Sequence, residues 1–145
     1  MSVFVANEQA HNVDEARLAA LAGHVLRAEN ISEDAELSVL LVTEDHMRRL
    51  NLRFADEDRA TDVLAFPMME DDDEQASLIG DVVLCPEVAQ ANATSMNHSL
   101  AHEMDVLMVH GTLHLLGYDH QNPEEKSQMD TRLSGLLDSF VVSPL

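Results

Sequence analysis

Residues 110–120 read HGTLHLLGYDH and hold three histidines, His110, His114 and His120. No other stretch limits the fold so tightly. Residues four apart on an α-helix differ in direction by about 40°, so His110 and His114 project from one face, one turn apart. That arrangement lets two imidazole nitrogens reach one metal ion at ~2 Å. A straight helix could not bring His120 back to the same ion. Gly117 resolves this, because a glycine just past the last turn takes the left-handed backbone that ends a helix. Tyr118 and Asp119 then carry the chain round so that His120 can close the site. The stretch therefore demands a helix that stops at Gly117 and a turn directly after it.

Three neutral imidazoles leave a zinc ion one open position, which marks a catalytic rather than a structural site. Zinc peptidases written HExxHxxGxxH share the three histidines and the glycine, but Gly111 stands where they carry glutamate. A peptidase would lack its base here, and Gly111 is expected to leave the open face of the metal uncrowded. His98 and His102 are also four apart, yet no third histidine follows at the matching distance. On a continuous helix they lie about 120° round from His110 and His114, outside the site. His102-Glu103 imitates the start of HExxH, but Val106 ends the likeness. The candidate catalytic residues are His114 and Asp119. Asp119 adjoins the third ligand and either orients a histidine or caps the turn.

At 145 residues the chain is long enough for one domain with a real core. Its net charge of −19 argues against diffuse binding to nucleic acid, which needs cations for phosphates. The cations are unevenly placed, however. Arg48, Arg49, Arg53 and Arg59 are four of the eight Lys+Arg and fall within twelve residues. They form either a solvated helix face or a cluster able to hold a phosphate backbone. Lys126 is the only lysine among 27 acids, a balance expected of a protein adapted to high salt. No apolar run approaches the ~20 residues of a membrane span, and MSVFVANEQ has no basic leader, so a cytoplasmic protein without a membrane partner is expected. Cys85 stands alone, which excludes an internal disulfide, and reads as a buried residue at a strand end.

Strands are expected at 2–6, 37–43, 61–67 and 78–85 from their β-branched and continuous apolar runs. Helices are expected from a cap at Asn12 or Asp14 to about Glu29, from a cap at Thr43 through EDHMRRLNLRF, and from Pro86. A strongly apolar helix spans Ser99 to Leu116, and a last one runs from Asn122-Pro123 to about Phe140. The acid run Glu70 to Glu74 reads as a mobile loop. The order β-α-β-α-β-β-α-α-α implies an α+β fold in one domain, residues 1–145: a four-stranded mixed sheet covered by helices, with a central metal-binding helix.

HGTLHLLGYDH, preceded in order by ELSVLLVTEDHMRRLN, TDVLAFP and IGDVVLCPEVA, resembles the signature blocks of the YbeY family. The resemblance covers most of residues 36 to 120. Members are bacterial zinc-dependent endoribonucleases that act in ribosomal RNA maturation. The resemblance implies an α+β fold and Zn²⁺ on His110, His114 and His120. It implies single-strand-specific RNA cleavage by metal-assisted phosphodiester hydrolysis, in 16S rRNA maturation and ribosome quality control. The implied partners are ribosomal RNA, the small ribosomal subunit and a ribosome-assembly GTPase, and not DNA. The family often carries an arginine just before the TDVLAFP-like block, where this chain has Ala55. Arg53 and Arg59 flank that position and are the expected RNA-binding substitutes. The competing expectation is a non-catalytic ribosome-assembly adaptor whose metal is structural. A zinc peptidase is the weaker rival, because Gly111 offers no base.

Overall fold

The computed structural model describes residues 1–68 and 78–140, so the acid run Glu70 to Glu74 lies outside the described residues. The elements are β1 (Ser2–Asn7), α1 (Glu15–Ala28), β2 (Glu36–Leu41), α2 (Glu44–Ala55), β3 (Val63–Pro67), β4 (Leu78–Leu84), α3 (Pro86–Ser95), α4 (Leu100–Leu115) and α5 (Pro123–Ser139). Their order is the expected one.

Local chemistry sets the helix starts. Asp14, Thr43, Ser99 and Asn122 each accept the backbone N–H of the residue three further on, namely Arg17, His46, His102 and Glu125. Each such cap is worth about 1 kcal/mol against alanine. Pro86 and Pro123 open α3 and α5, where a missing N–H costs no helical bond.

The sheet runs β1-β2-β4-β3. β1 with β2 and β2 with β4 are parallel, whereas β3 lies antiparallel to β4 at the edge. The sheet is therefore mixed and the fold α+β. One face carries the larger core, in which Leu21, Leu26, Leu37, Ile79, Val82, Met108 and Leu113 are buried between sheet, α1 and α4. On the other face α2 covers Val42, Val83 and Cys85 through Met47. Cys85 is fully buried directly after β4, and burial pushes its thiol pKa up.

Helix α4 packs against α1, α3, α5, β3 and β4, as its apolar residues on several faces require. It ends as the glycine predicts. Gly117 has φ +104°, its N–H donates to the His114 carbonyl at 3.1 Å, and Tyr118 N–H donates to the Leu113 carbonyl at 3.1 Å. This pair of crossed bonds is the Schellman termination, and it reverses the chain within one residue of the helix. Among the described residues no helix is long and apolar enough to cross a membrane.

Candidate metal centre

The last two turns of α4 carry His110 and His114, and the Schellman turn returns Asp119 and His120 toward them. The ring centroids of His110 and His120 are 5.7 Å apart, and those of His114 and His120 are 6.3 Å apart. Ligand-type atoms of His114, Asp119 and His120 all lie within 4.8 Å of one another, close enough to hold a metal ion. His110 stands just outside that tightest group, across the same recess. The recess is about 190 Å³, walled by Val63, Leu64 and Ala65 of β3 and by His110, Gly111, His114 and His120.

Protonation states suit a cation. His114 Nδ1 lies 3.1 Å from the Tyr118 carbonyl oxygen. A carbonyl only accepts, so Nδ1 carries the proton and the Nε2 lone pair is left for a metal. His110 is half-buried, and that burial, reinforced by His120 and His114, pushes its pKa below the ordinary value, with Asp62 and Asp130 pulling the other way. The neutral imidazole is the ligand form. Nitrogen donors with one carboxylate form a donor set that zinc accepts.

Asp119 Oδ1 accepts the His120 backbone N–H at 2.7 Å and lies 3.8 Å from His120 Nδ1, too far for a hydrogen bond to the ring. Of its two expected roles, it caps the turn. That it also stands among the ligand atoms was not anticipated from sequence. Nor was the wall that β3 supplies, since nothing local in TDVLAFP points at a histidine.

One reading needs correction. Gly111 does not clear the open face of the site. A Cβ built there would stand 2.7 Å from Val82 Cγ1 and 3.2 Å from Val63 Cγ2, so the glycine is where α4 presses on the sheet. The condition of a continuous helix is not met for His98 and His102, because Ser99 is the expected cap and His98 precedes α4. Their rings meet edge to face at 4.9 Å, and His98 Nε2 lies 2.8 Å from the buried Glu103 carboxylate. That pair lies outside the recess, as expected, but for this different reason.

The arginines are only partly available. Arg48 donates to both carboxylate oxygens of Asp58, at 2.6 and 3.0 Å, and Arg59 Nε donates to Glu57 at 2.9 Å. Asn51 ties the loop down by donating to the Arg59 carbonyl at 2.9 Å. Arg53 lies over the Phe54 ring, 5.2 Å from its centroid. Ala55 is the exposed last residue of α2. Neither Arg53 nor Arg59 walls the recess.

Fold and donors together define an α+β protein with a histidine-rich metal-type site at the end of its central helix. The family model described as Endoribonuclease YbeY matches residues 4–141, and the chain belongs to that family. It is 47% identical over 135 residues to a protein of Leifsonia xyli subsp. xyli named Endoribonuclease YbeY, covering 89% of this chain and 88% of that one. A Salinispora tropica protein of the same name is 45% identical over 151 residues, covering 97% of this chain and 96% of its own length. A solution structure of a Thermotoga maritima protein superposes with a TM-score of 0.60 at 27% identity, over 94% of this chain and 89% of that one.

Proposed function

We propose that this chain, acting as one domain over residues 1–145, is a metal-dependent endoribonuclease that cuts single-stranded RNA by phosphodiester hydrolysis. The reading rests on the gathering of His114, Asp119 and His120, with His110 opposite, in a chain whose relatives are named for that activity. His110, His114 and His120 hold Zn²⁺. The bound ion supplies Lewis acidity, stabilising charge that builds on a phosphoryl oxygen. The Tyr118 carbonyl fixes the tautomer and direction of His114. Burial keeps His110 neutral at physiological pH. The Asp119 carboxylate holds the turn and, standing among the ligand atoms, takes up the proton released in the recess. Arg53 and Arg59 contact the RNA backbone outside the recess. The substrate is ribosomal RNA, in 16S maturation and ribosome quality control. The partners are the small ribosomal subunit and a ribosome-assembly GTPase, in the cytoplasm.

One observation favours a second reading, an assembly adaptor with a structural metal. Arg48 and Arg59 are already engaged by Asp58 and Glu57, and the net charge is −19. A peptidase is disfavoured, because Val82 occupies the space that a side chain at 111 would need. The deciding experiment is cleavage of a defined single-stranded RNA. The enzyme reading expects metal-dependent cleavage that is abolished by a chelator and absent in His110→Ala. RNA left intact by metal-loaded, folded protein would establish the adaptor.

A further inference from the structure

An exposed apolar feature on α2 and β3 is aromatic and carries a cation. Phe54, at the end of α2, is 58% exposed. Its ring meets Phe66 of β3 edge to face at 5.1 Å, and the Arg53 guanidinium covers it at 5.2 Å. Met68, two residues beyond Phe66, is 53% exposed. Arg49 lies one turn before Arg53 on α2, exposed, and among the described residues neither arginine is in an ion pair. A surface that leaves a phenylalanine open beside two arginines with no ion pair among the described residues, in a chain this acidic, is unusual enough to need an occupant.

β3 joins this patch to the candidate metal centre. Val63 and Ala65 face the α4 side and wall the recess, while Leu64 and Phe66 face the α2 side. Phe66 lies roughly 10 Å along the strand from Val63. Among the described residues β3 is the edge strand, so a chain that leaves the recess across β3 runs toward Phe66 and the Phe54 ring packed on it.

We propose that Phe54, backed by Phe66 and Arg53, is a stacking platform for a nucleobase of single-stranded RNA next to the nucleotide held in the recess. The chemistry matches on each count. An exposed aromatic ring stacks any base, the Arg53 guanidinium beside it adds cation–π attraction, and arginines one turn apart meet the flanking phosphates. Charge selects the occupant: in a protein of net charge −19 the patch carries two exposed arginines, Arg49 and Arg53, which suits a polyanion better than a second copy of the same acidic chain. A platform read through stacking also gives single-strand preference, because a paired base has no free face. The inference rests on the RNA reading above.

The test uses the full-length protein and an end-labelled single-stranded oligouridylate, with anisotropy read before cleavage sets in. Phe54→Ala and Phe54→Leu should each loosen binding about tenfold. Phe54→Leu keeps apolar bulk without a π-face and, judged by an unchanged thermal midpoint and metal content, reports stacking alone. Phe54→Trp should bind at least as well as the parent. The chain has no tryptophan, so indole fluorescence, excited at the red edge where Tyr118 does not absorb, comes from the platform alone. It should be quenched by oligouridylate and not by an abasic ribose-phosphate oligomer of the same length. Wild-type affinity in Phe54→Leu, or an unquenched Phe54→Trp, overturns the platform. So does a variant that alters self-association in sedimentation while RNA affinity holds. If RNA is bound and cleaved equally by parent and Phe54→Ala, only the platform falls. If the parent neither binds nor cleaves RNA, the endoribonuclease reading falls and the platform with it.

Discussion

The Nδ1 atom of His114 points at the backbone carbonyl of Tyr118, 3.1 Å away, and that carbonyl is aimed by the left-handed backbone of Gly117. The orientation of a proposed ligand thus depends on a residue with no side chain. A Cβ at Gly117 would meet nothing within 4 Å, so Gly117→Ala introduces backbone strain without a clash. Gly117→Ala is expected to cost about 1 kcal/mol of stability and to weaken zinc binding about tenfold, read by thermal unfolding and a competition titration. Unchanged zinc affinity in a destabilised variant would show that the turn does not aim the ligand.

Gly111 should behave in the opposite way, through contact rather than backbone. Gly111→Ala forces its methyl against Val82 Cγ1, and overpacking of this kind costs about 1–3 kcal/mol. Val82→Ala removes the obstructing methyls. The double variant should recover part of the loss, a coupling that a urea-unfolding double-mutant cycle would detect.

The ion pair between α1 and α4 is asymmetric. Arg17 donates through Nε and Nη2 to both Asp105 oxygens at 2.8–3.2 Å, but the arginine side chain is 39% exposed and the aspartate 11%. Arg17→Ala strands a mostly buried carboxylate, whereas Asp105→Ala frees a guanidinium that can turn to water. Arg17→Ala should cost about 2 kcal/mol and Asp105→Ala about half that. Equal losses would mean that burial is not what separates them.

His110 predicts a pH response of the metal-free protein. Its pKa in the fold lies below the ordinary histidine value of about 6.5, so the unfolded chain holds more protons between the two values. Stability therefore rises with pH across that interval and is lost as pH falls from about 6.5 toward the lowered value. His110→Gln should flatten this part of the profile in chemical denaturation followed at a series of pH values. A slope identical to that of the parent would assign the effect to another group.

Features written in neighbouring residues were legible in the sequence. Thr43, Asn122 and Gly117 announce helix ends because caps act over three or four residues, and the structure places them there. The histidine spacing likewise foretells the meeting of His114 with His120. What was hidden depends on partners far along the chain. The strand order β1-β2-β4-β3 is set by pairing and packing across the whole fold. The reason for Gly111 lies at Val82, in another element. The engagement of Arg48 lies at Asp58, across a loop whose path no local pattern fixes. Ser99, like Thr43, was legible as the cap that leaves His98 outside α4.

Arg17, Arg48, Arg59, Lys126 and Arg132 are each held by an acid of the same chain. At least five of the eight cations are thus neutralised at home, and the long-range field around the molecule is that of an anion. A polyanionic partner is therefore repelled on approach and attracted only on arrival. The rate of encounter, unlike that of most nucleic-acid-binding proteins, should climb as moderate salt shortens the range of that repulsion. Such a molecule scavenges free RNA poorly and works best where its substrate is already concentrated around it.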